Sequence, residues 1–354
     1  MKMENIKRYP GIDLLRIIAA FLVVTLHSLG HGGLLRYSVK GTASYNVLWL
    51  IEIIAYNAVN IFVMISGFAA YPGKDGKISY KRLIRLWCET VFYGAMIPVL
   101  FKLKNYTIFP WVSVISYFFP ISFNTYWFFT SFAGLSLIKP ILDAGIKKLE
   151  DDQFQKMIWI MFAIFSITKN VIDPFVFYSG YSFIWFIILY CFGCYIKKLN
   201  VHKKISVKTC ITFIIISLML TWMWKINGKP LSYLNLRIDE DFLISYTSPT
   251  IILASACSVI IFAKIRTMAP KIQKIITFFT PGVFAVYLLN DHNLIRQYFI
   301  RDLFADTVSA PIPIILLRLF IFAFCFTIGA MTFDKIRQFL FIKAESLLQT
   351  RAKH

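Results

Sequence analysis

Apolar residues run in blocks of near twenty along this chain, broken by short polar and basic segments. Twenty residues of helix cover about 30 Å, the thickness of a hydrocarbon core. The blocks predict an all-α integral membrane protein with ten spans. They fall at residues 11–30, 46–70, 84–101, 125–142, 156–172, 181–196, 208–226, 246–264, 276–290 and 312–334. The ninth is short. Segment 108–123 carries Pro110, Trp111 and Pro120, which suits an interfacial or re-entrant piece better than a full span. No repeat or separate soluble region stands out, so residues 1–354 read as one membrane domain.

Composition supports this reading, with 58% hydrophobic and only 16% charged residues. The formal charge of +20 raises nucleic acid as a partner. Its distribution argues instead for membrane topology. With the N-terminus inside, the cytoplasmic segments hold 26 of the 38 Lys and Arg, and the outer loops hold 10. That bias places both termini in the cytoplasm, as an even span number requires. The excess charge then meets anionic lipid rather than nucleic acid. The first block resembles a signal peptide in position, but Asp13 and Arg16 interrupt it and no clean small-residue cleavage site follows.

All six cysteines fall in spans or at their cytoplasmic ends, which excludes an extracellular disulfide framework. Cys191 and Cys194 form a C-x-x-C pair without a second pair to complete a metal site, so packing residues are expected and no metal is implied.

The first span concentrates the candidate chemistry. Arg16 and His27 are eleven positions apart. At 100° per residue they return to within about 20° of one helix face, roughly 16 Å apart along the axis. Asp13 and His31 lie near the same stripe. Ionisable groups are costly at that depth and mark a site. Histidine suits general-base chemistry, because desolvation favours its neutral, proton-accepting form.

Other candidates surround this stripe. Asn57 and Asn60 share a face of the second span, where they would line a cavity or bond between helices. Lys81, Arg82 and Arg85 open the third span on the cytoplasmic side. Guanidinium groups three apart near a helix N-terminus suit phosphate oxygens, and they equally suit an ordinary positive-inside flank. Trp127 opens the fourth span at the outer interface. Asp291 and His292 follow the ninth span on the side of His27 and His31, either orienting a ligand or capping a solvated loop. Gly67 would permit close helix approach.

Arg16-x10-His27, IFVMISGF in the second span, Arg82-x-x-Arg85, YWFF…KPIL and VYLLNDH together resemble the membrane acyltransferase-3 family over residues 9 to 335. The resemblance implies a bacterial cytoplasmic-membrane O-acyltransferase with acetyl-CoA as donor. It implies catalysis at His27, with Arg16 and Asp13 beside it, and donor phosphates on Arg82 and Arg85, with Lys81 adjacent. Asn57, Asn60, Trp127, His31, Asp291 and His292 would form the cavity or acceptor side. The implied acceptor is a hydroxyl of a surface polysaccharide or lipid-linked glycan, and a homo-oligomer is compatible with this reading.

Many relatives carry histidine where Asn290 stands, so a second-histidine role would pass to His292. No appended hydrolase-like region accompanies the membrane part. The stretches LHSLGHGGLL and NAVNIFVMISGF give a pattern that resembles surface-polysaccharide O-acetyltransferases. It also resembles the membrane half of vancomycin-resistance serine racemases, which makes serine uptake or binding the alternative.

Overall fold

A computed structural model describes residues 9–72, 80–104, 111–167, 175, 177–228 and 239–351. These are helical throughout, with no strand among the described residues. The first helices are α1 (Pro10–Gly30), α2 (Leu34–Tyr37), α3 (Ala43–Ala55), α4 (Asn57–Ala70), α5 (Tyr80–Leu103) and α6 (Trp111–Phe118). The middle of the chain holds α7 (Trp127–Lys148), α8 (Asp151–Phe162), α9 (Phe183–Lys198), α10 (Val201–Lys204) and α11 (Val207–Asn227). The last are α12 (Pro249–Ala263), α13 (Pro270–Phe279), α14 (Val283–Asn290), α15 (Asn293–Ile295) and α16 (Ile312–Arg351).

Seven helical stretches among the described residues are long and apolar enough to cross a membrane: Pro10–Tyr37, Ala43–Ala70, Arg82–Leu103, Trp127–Lys148, Val207–Asn227, Pro270–Asn290 and Ile312–Leu347. The other three expected spans are shorter helices. The 156–172 block falls on α8 and the π-helical turn Ala163–Ile167, and its residues 168–172 lie outside the described residues. The 181–196 block is the 16-residue α9, and the 246–264 block is the 15-residue α12. Both are apolar but shorter than the seven, and Trp185, Phe186, Leu189 and Tyr190 of α9 are fully buried. A buried helix and a membrane span look alike by hydropathy. Of segment 108–123, residues 108–110 lie outside the described residues. α6 is eight residues long, about 12 Å, too short to span.

α1 begins at Pro10, whose missing N–H costs nothing in a first helical turn. It then packs against α3, α4, α12, α14 and α16, which makes it the axis of the bundle. Gly33, at φ 91°, adopts the left-handed conformation that turns α1 into α2. α4 and α9 meet at backbone contact. A Cβ on Gly67 would stand 2.1 Å from the Tyr190 carbonyl oxygen, and one on Gly193 would stand 2.0 Å from that of Met64. This is the close approach that small residues allow between membrane helices. Cys191 and Cys194 lie buried at the same crossing, and no cluster of metal-ligating side chains occurs among the described residues.

Candidate functional site

One cavity of about 840 Å³ runs through the bundle alongside α1. Its depth follows from helix direction. Arg16, Arg82 and Thr280 line one end, and His31, Asp291 and Arg296 line the other. His27 lies between them on the stripe that the sequence indicates. The volume is that of a site for a sizeable organic ligand.

His27 is held by a residue far away in the chain. Its Nδ1 lies 2.5 Å from Oδ1 of Asn290, at the end of α14. An amide oxygen only accepts, so Nδ1 donates and Nε2 keeps its lone pair. The ring is thereby oriented, with its basic nitrogen unpaired among the described residues. The His31 ring centre stands 5.5 Å from that of His27, one helical turn along α1. At the other end of the stripe, Arg16 bonds Asp13 through Nη1 and Oδ1 at 2.5 Å. Asp13 is buried and Arg16 lines the cavity, so the carboxylate fixes the guanidinium at the cavity wall.

Of the sequence-derived candidates, Arg16, His27, His31, Arg82, Trp127 and Asp291 line this single cavity. Asp291 sits with Arg296 across 3.6 Å at its rim. Asn57, Asn60, Arg85 and His292 are placed elsewhere, each for a physical reason.

Asn57 does not line the cavity. Its Nδ2 donates to the carbonyls of Ile53 and Ile54, capping α3 where the second span breaks, and its Oδ1 accepts from Ser255 at 2.9 Å. Asn60 is fully buried. Its Nδ2 donates to the Tyr246 carbonyl at 2.8 Å and its Oδ1 accepts from Trp185. Both amides bond neighbouring helices and lie off the cavity wall. Arg85 points to Glu345 of α16, 3.1 Å away, and not into the cavity with Arg82. The side chain of Lys81 lies outside the described residues.

His292 is likewise not a wall residue. It is fully buried and stacked on Tyr117, ring centres 4.7 Å apart, and its Nδ1 accepts from the Leu294 N–H to cap α15. Burial pushes its imidazole well below the usual range, to about 3. Asn290, and not His292, meets His27 directly.

The cavity also holds groups outside the sequence-derived set. Glu52 lines it from α3, and Tyr56, Tyr181, Tyr246 and Tyr287 line it as well. Glu52 had a legible signal, a lone acid in the apolar run LWLIEIIA. The tyrosines had none, since aromatic residues fill this chain everywhere.

A family model described as an acyltransferase domain, the acyltransferase-3 model, matches residues 9–333. Comparison with curated proteins and with solved structures finds no match.

Proposed function

As the chain belongs to the acyltransferase-3 family and is a multi-pass membrane protein, we propose that it moves an acetyl group from acetyl-CoA to a glycan hydroxyl. The observation that carries this reading is His27, standing in a cavity that runs along α1 with its Nδ1 engaged by Asn290. That is the arrangement of a general base: one nitrogen fixed by a hydrogen bond, the other free to take a proton.

In this mechanism the donor enters at the Arg82 end, taken as cytoplasmic. Arg82 holds CoA phosphate, where a guanidinium fork is well matched. Arg16 lies about 16 Å along α1 from His27, too far to reach the reacting carbonyl. It therefore steadies the pantetheine arm threading along the cavity. The acceptor arrives from the Asp291 end. Its hydroxyl loses a proton to Nε2 of His27 as the oxygen attacks the thioester carbon. The tetrahedral oxyanion forms beside His31, whose ring N–H donates to it. Collapse breaks the C–S bond, and the imidazolium returns the proton to the leaving thiolate. A donor aimed at such an oxyanion is worth about 3–4 kcal/mol. The bacterial cytoplasmic membrane supplies both sides of this reaction, with acetyl-CoA within and envelope glycan without.

The experiment is a reconstitution. Proteoliposomes receive labelled acetyl-CoA on the Arg82 face, with mixed envelope glycan on either face. Label should enter glycan as an alkali-labile ester only when glycan is on the opposite face. Saturable uptake of labelled serine with no acetyl-CoA consumed would contradict the proposal.

A further inference from the structure

Glu52 is the unexplained group of the cavity. It is 7% exposed, and its Oε2 has no hydrogen-bond partner in the protein. No ion pair joins it to a base among the described residues, whereas Asp13 and Asp291 each have an arginine. A carboxyl held this way is costly unless something satisfies it. Neither α3 packing nor the transfer chemistry at His27 requires an acid at this position.

Its surroundings are specific. Tyr56 follows Glu52 by one turn and closes α3 with an N–H to the Glu52 carbonyl at 2.8 Å. Trp127, Tyr181 and Tyr246 continue the same wall. Their ring centres are 4.6 Å (Trp127–Tyr181) and 5.1 Å (Tyr181–Tyr246) apart, and Tyr56 lies 4.9 Å from Tyr246. The wall is rigid. Asn60 holds the Tyr246 carbonyl, the Tyr246 N–H bonds Ser179 at 3.2 Å, and Gly180 leaves no room behind the Tyr246 Cβ.

The spacing discriminates between ligand classes. A cage for a quaternary ammonium needs ring faces that surround the cation, each within about 6 Å. Here neighbouring rings pack directly on one another at tilts of 34°, 53° and 58°, so no ammonium fits between them. What they leave is a contiguous aromatic wall, with single ring faces turned to the cavity and a hydrogen-bonding acid beside it. That combination matches a flat, neutral ring bearing hydroxyls, its C–H face on the rings and its O–H groups on the acid.

We infer that Glu52 and the Trp127–Tyr181–Tyr246 wall form the acceptor subsite, and that it takes a neutral pyranose, Glu52 accepting hydrogen bonds from ring hydroxyls. The inference rests on the transferase reading above. It adds the residues that select the acceptor and the reason a sugar is preferred to an amine. A site built to pair a hydroxyl rejects analogues without it, because its own polar group is then left buried and unpaired.

The test is equilibrium binding to purified protein in lipid nanodiscs. The probes are tritiated methyl pyranosides of glucose, galactose, mannose and N-acetylglucosamine, with choline as the cationic probe. At least one pyranoside should bind saturably to the wild type, and choline should not. Glu52→Gln should weaken that binding about threefold or more, because an amide NH2 replaces one of the two hydrogen-bonding oxygens. Trp127→Leu leaves Glu52 in place and provides the second reading should Glu52→Gln not fold; it should weaken binding about threefold or more. Acetyl-CoA binding should be unchanged in both. Choline binding without pyranoside binding, no pyranoside binding at all, or wild-type affinity in both variants would overturn the subsite. Acetyl-CoA turnover by the same preparations is scored separately. Its absence beside intact sugar binding would contradict the transferase reading and leave the sugar site standing.

Discussion

Nδ1 of His27 lies 2.5 Å from Oδ1 of Asn290, joining the first apolar helix to one 263 positions later in the chain. The contact fixes which imidazole nitrogen is free. Removing it leaves the base present but unsteered. Asn290→Ala should therefore lower kcat about tenfold, the worth of one hydrogen bond, with the apparent KM for acetyl-CoA unchanged. Steady-state kinetics in nanodiscs checks this. An unchanged kcat would mean that the contact only packs α1 against α14.

The structure separates the two arginines of the third span. Arg82 lines the cavity, and Arg85 faces Glu345. Arg82→Ala should raise the KM for acetyl-CoA, and the wild-type KM should itself rise with salt as the phosphate contact is screened. Arg85→Ala should instead match Glu345→Ala, with little effect on donor binding, since the pair is exposed and worth at most about 1 kcal/mol. Equal losses in Arg82→Ala and Arg85→Ala would place both on the donor.

The α4–α9 crossing sets a stability prediction. Gly67→Ala and Gly193→Ala each push a Cβ to within 2.1 Å of a facing carbonyl oxygen, so the helices must separate. Overpacking of this kind costs about 1–3 kcal/mol, and thermal melting in detergent should show it. Gly145→Ala is the control. Nothing stands within 4 Å of the added methyl, and alanine is the better helix former, so melting should hold or rise.

Much of this site was legible in order along the chain. The eleven-residue step from Arg16 to His27 fixes a common face by helix geometry alone, and both residues line the cavity. Arg82, Trp127, His31 and Asp291 were likewise placed by their ends of the spans. Asn290 as the partner of His27 was not legible, because that contact depends on how α14 docks on α1. Asn57 and Asn60 show the ambiguity of a membrane amide: it can line a cavity or bond a neighbouring backbone, and only tertiary contacts decide. α9 and α12 show the ambiguity of an apolar run, which a protein interior and a bilayer both accept.

His292 gives a pH signature. Its folded imidazole is depressed by burial to about 3, below the value near 6.5 of an exposed histidine. A depressed folded pKa makes its contribution fully present above pH 6.5 and lost progressively as pH falls from there toward 3. Wild-type melting temperature should fall between pH 6.5 and 4. His292→Phe, which keeps a ring on Tyr117, should fall less steeply over that window. Parallel slopes would show that other groups carry the acid sensitivity.

The most direct test of the whole account is the ester acetate carried by envelope glycans in cells lacking this chain and complemented with wild type or His27→Ala at equal membrane levels. Wild type should restore alkali-labile acetate. His27→Ala should lower it by about 10²–10⁴-fold, the contribution of a positioned general base. Full acetylation by His27→Ala would contradict the account.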